Sequence, residues 1–331
     1  MTLGAYEAGM TDLITFGETP LRFSPPGNER LERVDETTVY ADGTASNVAV
    51  AANELGAETL WLSKVPDTPL GCRVEAQLEE QGIETHIAWD ENGERRQGLL
   101  FREAGAEPRE TRHHHDRGNT AAATAEPGDF PMEQVQASEI VFAGLGTAVL
   151  SETAATTTGA ILRAAGGSGA MTAVSLDYSP DLAPPETYQG VFDTLSEEVD
   201  VVFASEEDVR EALGRSGRPR ELANTIAADY DLEIIVITRA ERGAVALRNS
   251  PGTNIIHERA TIPSEDIDRT GQRGAFVGAF LEQLIDGADT SRALTCGVAA
   301  ATLARTIPGP FLTTTTGELD PIADAVVDAS Q

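Results

Sequence analysis

Lysine is almost absent from this chain: Lys64 is the only lysine among 331 residues, and the other basic side chains are arginines. The 24 basic residues stand against 54 acidic ones, which gives a formal net charge of -30. Such a surface repels a phosphate backbone, so nucleic acid is not expected as a partner. At about 1 M salt the Debye length is only about 3 Å, and the repulsion between carboxylates is screened. The composition therefore predicts a salt-adapted protein that loses structure in dilute buffer.

Cysteine and long apolar runs are also scarce. Cys72 and Cys296 lie far apart in the sequence with no paired spacing, which predicts two buried thiols. No segment approaches the ~18 unbroken apolar residues of a membrane span, and residues 1–11 lack a basic-then-apolar leader. These absences predict a soluble, cytoplasmic protein that does not contact a membrane.

Short apolar runs recur along the chain, and segments long enough for a covering helix separate them. These runs are residues 13–16, 59–63, 140–143, 173–176, 201–204 and 234–238. This alternation predicts an α/β fold with a doubly wound, mainly parallel sheet.

Two stretches, residues 21–40 and 85–115, break this pattern with short strands and turn signals such as Glu91-Asn92-Gly93. We expect them to form a small antiparallel sheet outside the main one, a lid over a pocket at the carboxyl ends of the strands. Residues 13–320 then form one domain, between a flexible N-terminus at 1–12 and a C-terminal tail at 321–331.

Residues 268–276 read Asp-Arg-Thr-Gly-Gln-Arg-Gly-Ala-Phe, and an apolar helix follows. A glycine-bearing turn that opens a helix directs free backbone N–H groups and the positive end of the helix dipole at whatever precedes it. This arrangement favours the binding of an anion such as a phosphate.

The segment from Gly43 to Ala52, with residues 55–57 and 63–71, resembles the first signature of the ribokinase-like (PfkB) carbohydrate kinases, and residues 268–276 resemble the second. Residues 98–103 and 108–109 fall where the 2-keto-3-deoxygluconate kinases of that family carry a lid segment that binds the sugar acid. The resemblance extends from about residue 13 to 310. It implies a three-layer α/β/α sandwich with a β-lid, transfer of the ATP γ-phosphoryl group to a sugar hydroxyl, and a homodimer formed through the lid.

The resemblance also implies a set of residues on the sugar side of the site: Gly43, Asn47, Leu100, His115, Arg117 and Asp177. Leu100 stands where the keto-deoxygluconate kinases have a substrate-binding Tyr, and His115 replaces another. Asp177-Tyr178-Ser179 stands where they have an Asn and a carboxylate-binding Arg. Arg117 has two interpretations, a substrate contact and a solvated charge on the lid. A metal site formed by His113, His114 and His115 is disfavoured, because consecutive strand residues point to opposite faces.

The catalytic motif is incomplete. Asp268 and Gly271 match the substrate-contacting Asp and the first Gly of the family's anion hole, but Gly274 stands where the family has its catalytic base, an Asp. A missing base costs about 10²- to 10⁴-fold in rate, so Gly274→Asp is expected to raise turnover about tenfold or more. Arg273 either grips a phosphate or blocks the anion hole. Asp266 and Asp268 are the nearest carboxylates in sequence that can replace the base.

The nucleotide side is better preserved, and the resemblance assigns seven residues to it: Ser205, Asp208, Thr238, Gly243, Thr270, Gly297 and Ala300. Ser205-Glu-Glu-Asp208 stands for an Asn-x-x-Glu motif that helps to order magnesium and phosphates. Asp208 is therefore the candidate metal contact, through water, and the implied cofactors are ATP and Mg²⁺.

Two functions remain open at this level. One is an ATP-dependent kinase for a sugar or sugar acid that is slowed by the missing base, since a loose phosphoryl-transfer transition state needs little base assistance. The other is an inactive homologue that binds a nucleotide or a sugar phosphate.

Overall fold

The structure is a computed structural model that describes residues 11–250 and 253–330. These residues form thirteen strands, numbered in chain order: β1 (Leu13–Phe16), β2 (Leu21–Ser24), β3 (Thr38–Ala41), β4 (Thr59–Pro66), β5 (Glu84–Asp90), β6 (Leu99–Glu103), β7 (Arg112–Asp116), β8 (Ile140–Gly144), β9 (Met171–Ser175), β10 (Val201–Ser205), β11 (Ile234–Thr238), β12 (Ala244–Ser250) and β13 (Thr253–Arg259). The α-helices of the described residues are α1 (Thr44–Leu55), α2 (Pro69–Glu79), α3 (Met132–Ala137), α4 (Leu145–Ala148), α5 (Glu152–Gly166), α6 (Pro185–Leu195), α7 (Glu206–Glu211), α8 (Pro219–Asp229), α9 (Gln272–Ile285), α10 (Thr290–Ala304) and α11 (Thr316–Ala329).

Nine strands form one twisted central sheet in the order β13-β12-β11-β10-β9-β8-β1-β4-β5. The seven strands from β11 to β5 in this order are parallel, and β12 and β13 add an antiparallel edge. The central strand β1 is buried along its whole length: Leu13 packs into the core on one face, and Ile14 and Phe16 into the core on the other. Burial on both faces explains why the parallel strands appear in the sequence as continuous apolar runs. The predicted doubly wound α/β fold is confirmed.

Helices cover both faces of this sheet. Helices α1, α2, α9, α10 and α11 contribute to one core cluster, and α3 to α8 contribute to the other. The three layers are therefore helix, sheet and helix, as the resemblance implied. No helix in the described part of the chain is long and apolar enough to cross a membrane.

The lid is a separate sheet of four strands in the order β3-β2-β6-β7. It is mixed rather than antiparallel, because β2 pairs with β6 in parallel. The prediction was wrong for the first residues of the second lid stretch. They belong to β5, which pairs in parallel with β4 and forms the edge of the central sheet. An edge strand is partly exposed, so β5, with the sequence ETHIAWD, lacks the continuous apolar run that marks the buried parallel strands.

Three further predictions need correction or a limit. The segment 321–331 was predicted to be a C-terminal tail, but its described residues, up to 330, do not form one. Helix α11 continues through Pro321 to Ala329 and buries Ala323 and Val326 in the core. Of the predicted flexible N-terminus, residues 1–10 lie outside the described residues, and Asp12 exchanges hydrogen bonds with Glu58.

Cys296 is buried as predicted, but Cys72 is exposed. The prediction for Cys72 was wrong because of helical periodicity. Helix α2 directs Gly71, Val74 and Leu78 inwards, and this leaves Cys72 on the solvent side.

Candidate active site

Two cavities meet at the carboxyl ends of the central strands. A cavity of about 370 Å³ is lined by Ser205 and Thr238, the last residues of β10 and β11, and is called the nucleotide cavity because the sequence analysis predicts that these residues contact the nucleotide. A cavity of about 300 Å³, hereafter the sugar cavity, is lined by Gly144 at the end of β8 and by lid residues. His113, Thr270 and Arg273 line both. Open α/β sheets bind ligands at this edge.

The start of α9 lies at the junction of the two cavities. Gly271 caps the helix, and the amides of Arg273 and Gly274 in its first turn have no acceptor within the helix. A Cβ atom on Gly271 would lie 2.6 Å from the carbonyl oxygen of Pro310, so only glycine fits there. The helix therefore starts where the sequence predicted, and its first turn opens between the cavities, while anion binding there stays a prediction.

Gly274 is required by helix packing. A Cβ atom on Gly274 would lie 2.4 Å from the Cβ atom of Asn47 in α1. One turn later, a Cβ atom on Gly278 would lie 2.6 Å from that of Ala51. The two glycines let α9 and α1 approach closely, and the site where the family has its catalytic Asp has no space for a side chain. The expectation that Gly274→Asp raises turnover is therefore withdrawn.

Arg273 lies between two carboxylates, Asp177 in the segment after β9 and Asp208 in α7. Its Nη1 donates to Oδ1 of Asp177 at 2.6 Å, and its Nη2 lies 3.3 Å from Oδ2 of Asp208. Burial opposes the charge, but Asp208 and Asp177 outweigh it and raise the pKa of Arg273 above its usual value. Two fifths of the side chain is accessible, and it lines both cavities. The arrangement fixes a positive charge where a phosphoryl group would pass between the cavities.

Asp268 does not line the sugar cavity, although the sequence made it a candidate for the substitute base. Its Oδ1 accepts hydrogen bonds from the amide and hydroxyl of Thr270, and its Oδ2 accepts one from the amide of Gly309. Arg22 and Arg102 of the lid lie 3.8 Å and 3.4 Å from this carboxylate. Burial works against ionisation, but the Thr270 hydrogen bonds and the two arginines lower the pKa of Asp268 overall. Asp268 thus connects the lid to the start of α9.

Asp266, the other candidate for the substitute base, is also placed elsewhere. Its Oδ2 accepts a hydrogen bond from Arg269, and its Oδ1 lies 3.4 Å from Nε of Arg305. It does not line the sugar cavity. Neither candidate from the sequence is therefore positioned to take a proton from a bound sugar.

All six residues predicted for the sugar side line the sugar cavity: Gly43, Asn47, Leu100, His115, Arg117 and Asp177. Arg117 is not a solvated lid charge, since only 9% of its side chain is exposed. It forms a short ion pair with Glu18 and donates to the carbonyl oxygen of Gly146 at 3.0 Å. Glu18 therefore neutralises the arginine that was expected to meet a substrate.

His115 is a neutral polar group in this cavity. Burial, followed by the charge of Arg117, lowers the pKa of His115 to about 4. Its Nδ1 is buried without a hydrogen-bond partner among the described residues. His113 lies two residues earlier on the same face of β7 and also lines the cavity. Within the described ranges, no group of three or more His, Cys, Asp or Glu side chains has a geometry for holding a metal ion.

On the nucleotide side, Ser205, Thr238, Gly243 and Thr270 line the nucleotide cavity as predicted. Gly297 and Ala300 do not. A Cβ atom on Gly297 would meet Phe276 of α9 at 3.0 Å, and Ala300 is fully buried in the core. The residues of α10 that line the cavity are Val298, Ala301 and Thr302. The predicted residues are thus one position too early along this helix.

Asp208 does not fit the role of a magnesium contact. Its Oδ1 accepts from the amide of Tyr178 at 3.2 Å, and its Oδ2 accepts from the amide of Ser205 at 2.8 Å and faces Arg273. The Ser205 hydroxyl in turn accepts from the amide of Asp208, which completes a capping box at the start of α7. The Ser-x-x-Asp spacing was the sequence signal for this cap.

Several residues that line the sugar cavity were not predicted from the sequence: Glu18, Asp42, His113, Thr147 and Tyr178. Asp42 directly precedes Gly43, at the edge of the first signature, and its charge within an otherwise small and polar motif was the available signal. Glu18 and Thr147 come together only through the fold, where the Thr147 hydroxyl accepts from the amide of Glu18 at 2.9 Å.

Residues 10–315 match the model of the pfkB family of carbohydrate kinases. The chain belongs to this family. It is 38% identical over 320 residues to the 2-dehydro-3-deoxygalactonokinase of Haloferax volcanii, covering 96% of this chain and 99% of the relative.

Solved structures agree with this assignment. A 2-dehydro-3-deoxygluconokinase of Thermotoga maritima superposes with a TM-score of 0.85 at 27% identity, over 95% of this chain and 99% of that chain. Ribokinase II of E. coli, solved in complex with ATP and Mg²⁺, shares the fold with a TM-score of 0.81 at 18% identity, over 95% of this chain and 99% of that one.

Proposed function

We propose that this carbohydrate kinase transfers the γ-phosphoryl group of ATP to a hydroxyl of a 2-keto-3-deoxy sugar acid. The observation that carries the proposal is the junction of the two cavities at Thr270 and Arg273, at the first turn of α9. A nucleotide in one cavity and a sugar in the other would meet there. The Haloferax volcanii and Thermotoga maritima proteins are named for the 2-keto-3-deoxy acids, also called 2-dehydro-3-deoxy acids, that they phosphorylate.

The nucleotide side supports ATP, delivered as its magnesium complex, as the donor. Gly243 has a positive φ of 86°, and a Cβ atom there would lie 1.9 Å from the carbonyl oxygen of Arg259, so this turn must be glycine. The turn lines the nucleotide cavity beside Thr238. We expect the ion to enter with the triphosphate, because the Asp208 carboxylate already accepts two backbone hydrogen bonds and faces Arg273.

The chain's own residues contribute positioning and charge. The free amides at the start of α9 and the guanidinium of Arg273 would stabilise the negative charge of the transferring group. Lid residues Leu100, His113 and His115 cover the sugar cavity and restrict the access of water. We assign the sugar contacts to Gly43, Asn47, His115, Arg117 and Asp177, and the nucleotide contacts to Ser205, Thr238, Gly243 and Thr270.

The carboxylate of a sugar acid would meet Arg117, His115 and the Ser179 segment of this cavity. Since Glu18 pairs with Arg117, the acid has to compete with an internal carboxylate for that guanidinium. This competition predicts weaker binding of the acid group than a free bidentate arginine would give.

An ADP-release assay in molar KCl with magnesium tests the proposal. The acceptors are 2-keto-3-deoxygalactonate, 2-keto-3-deoxygluconate, gluconate and a set of hexoses, with product mass as a second readout. We expect turnover on at least one keto-deoxy acid that exceeds turnover on gluconate and the hexoses. Faster turnover of a hexose would contradict the assigned substrate class.

One observation favours a second function, the binding of a nucleotide or sugar phosphate without turnover: Gly274 has no space for the family's base. Calorimetry with ATP and ADP separates the two functions. Nucleotide binding together with no product on any acceptor would support the binding protein.

We further propose a salt-adapted, cytoplasmic protein that forms a homodimer through the lid. The charge of -30 with a single lysine supports salt adaptation, and the relative from Haloferax volcanii is consistent with it. The lid has an edge strand, β7, for such pairing, whereas Arg73 and Gln77 of α2 already hydrogen-bond to the backbone of the other edge strand, β3. Sedimentation in molar KCl tests the dimer, and a monomeric mass would contradict it.

A further inference from the structure

Three carboxylates line the sugar cavity: Glu18, Asp42 and Asp177. The family's base, an Asp, is absent at Gly274, and these three are the carboxylates that line the same cavity. The three differ in how their oxygens are engaged, and these differences select one of them.

Glu18 and Asp177 are committed to arginines. Oε2 of Glu18 pairs with Arg117, and Oε1 packs against Gly98, where an added Cβ atom would lie 2.5 Å away. Oδ1 of Asp177 accepts from Ser175 and Arg273, and Oδ2 is buried without a hydrogen-bond partner beneath Gly144. Oε1 of Glu18 is likewise buried without a hydrogen-bond partner among the described residues, so the second oxygen of each carboxylate is too enclosed to meet a substrate hydroxyl.

Asp42 differs from both. It lies between the end of β3 and the start of α1, and its Oδ1 accepts from Nδ2 of Asn47 at 2.8 Å. Its Oδ2 lies 3.4 Å from Nε of Arg22, a nitrogen that donates no hydrogen bond among the described residues. The Asp42 carboxylate therefore lines the sugar cavity with one oxygen oriented and the other available.

Asn47 connects Asp42 to the position of the missing base. Asn47 is the residue whose Cβ atom would lie 2.4 Å from a Cβ on Gly274, and the same Asn47 holds Asp42. The residue that excludes a side chain at Gly274 in α9 therefore also orients a carboxylate beside the facing helix α1.

Arg22 compensates the negative charge of the Asp42 carboxylate. Its side chain is fully buried in β2, and none of its three guanidinium nitrogens donates a hydrogen bond among the described residues. It stacks over Tyr40 at 4.9 Å, with Asp42 and Asp268 as its charge partners. A buried arginine with poor hydrogen bonding balances Asp42 electrically and leaves Oδ2 open.

We propose that Asp42 is the proton acceptor of the phosphoryl transfer and that Asn47 positions it; the inference rests on the proposed kinase function. The acceptor sugar loses its hydroxyl proton to Oδ2 of Asp42 as its oxygen forms a bond to the γ-phosphorus. The bond between that phosphorus and the bridging oxygen breaks, and ADP leaves with both electrons of the bond. The proton passes to solvent when the sugar phosphate departs.

Chemical rescue tests this role. Asp42→Gly removes the carboxylate and leaves space for formate, so kcat should fall about 10²- to 10⁴-fold, the range of general-base catalysis. Replacing part of the KCl by potassium formate at constant ionic strength should then restore kcat about tenfold or more. The matched control is Asp177→Gly, since Asp177 has a φ of 45° that glycine adopts freely. Formate should not restore the kcat of Asp177→Gly, because the Asp177 carboxylate binds Arg273 and accepts no proton.

Folding is controlled with a second variant. Asp42→Asn combined with Arg22→Gln removes both charges, so no arginine is left buried alone. Calorimetry with ADP and circular dichroism show whether each variant keeps its nucleotide cavity. We expect the double variant to bind ADP within about threefold of the unmodified chain, yet to show the same loss of kcat as Asp42→Gly.

The outcomes are distinct. If the unmodified chain phosphorylates no acceptor, the proposed kinase function fails and the inference fails with it. If that chain turns over, two results would overturn the inference alone: a double variant with kcat close to the unmodified value, or an Asp42→Gly variant that binds ADP but gains nothing from formate.

Discussion

Asn47 and Gly274 touch at a point where neither helix has space for a larger side chain, since a Cβ atom on Gly274 would lie 2.4 Å from that of Asn47. In α1, Asn47 extends its amide to Asp42. In α9, Gly274 occupies the family position of the catalytic Asp. One close contact thus accounts for the lost carboxylate and for the placement of its proposed replacement.

Gly274→Ala and Gly274→Asp should both lower the free energy of unfolding, by about 1–3 kcal/mol for overpacking. Gly274→Asp should not raise kcat, because α1 must move away and take Asn47 and Asp42 with it. Denaturant unfolding in molar KCl and the ADP-release assay provide the two measurements.

The matched control for this prediction is Gly190→Ala in α6. An added Cβ atom at Gly190 meets nothing within 4 Å, so alanine should be neutral or stabilise by about 0.4–1 kcal/mol. Equal effects at both glycines would show that the close contact of α1 and α9 does not exist in solution.

Arg273→Gln should weaken ADP binding about tenfold and lower the free energy of unfolding by about 1–2 kcal/mol. The substitution leaves Asp177 and Asp208 facing each other without the cation between them. The expected loss of unfolding free energy is smaller than for a fully buried ion pair, because two fifths of the Arg273 side chain is accessible. Calorimetry and denaturant unfolding measure the two effects.

Arg163→Gln is the comparison for Arg273→Gln. Arg163 pairs with Glu198, and 68% of its side chain is exposed. Its loss should change stability by no more than about 0.5 kcal/mol. If Arg273→Gln behaves like Arg163→Gln, Arg273 has no role at the junction of the cavities.

The sequence predicted those parts of the fold that depend on local pattern. Strands such as β8 and β11 are apolar on both faces, so their runs stand out. Strand β5 was misplaced because only its partner β4 shows that it belongs to the central sheet. Similarly, the first signature located Asn47, but it did not show that Asn47 holds Asp42.

The chemistry of the site was harder to predict because its charges pair across the fold. Arg273 pairs with Asp177, 96 positions away in the chain, and Arg117 pairs with Glu18, 99 positions away. Spacing along the sequence made Asp268 the nearest carboxylate to the anion hole, whereas lid arginines hold it outside the sugar cavity. Proximity in sequence is a poor guide to which acid meets a substrate.

His115 should stay neutral down to a pH of about 4, and NMR titration of its ring should show this, because burial lowers its pKa to that value. Between the unfolded pKa of about 6.5 and this folded value, the unfolded chain binds a proton that the folded chain does not. Stability from this group is therefore complete above about pH 6.5 and is lost as the pH falls towards 4. His115→Gln should show a smaller loss of unfolding free energy from pH 6.5 to 4.5 than the unmodified chain, and equal losses would contradict the assignment.

A thiol reagent should modify one cysteine in the native protein and two after denaturation. Cys72 is exposed on α2, whereas Cys296 is buried, and burial raises the pKa of its thiol to about 11. Both burial and the small thiolate fraction slow the reaction of Cys296. Cys72→Ser should abolish the native reaction, and rapid native modification of that variant would show that α10 opens.

The last prediction concerns salt. Circular dichroism and ADP binding should both be lost on dialysis from molar KCl into dilute buffer, because 54 acidic side chains face 24 basic ones in one folded unit. The Debye length grows from about 3 Å at 1 M salt to about 30 Å at 0.01 M, so each carboxylate then repels many others rather than its nearest neighbours alone. If screening is the cause, KCl and NaCl should stabilise equally at equal ionic strength. Sucrose, which acts through exclusion from the surface, should not replace them fully. A protein that keeps its spectrum and its ADP affinity at 0.01 M salt would show that its acidic surface is dispensable for folding.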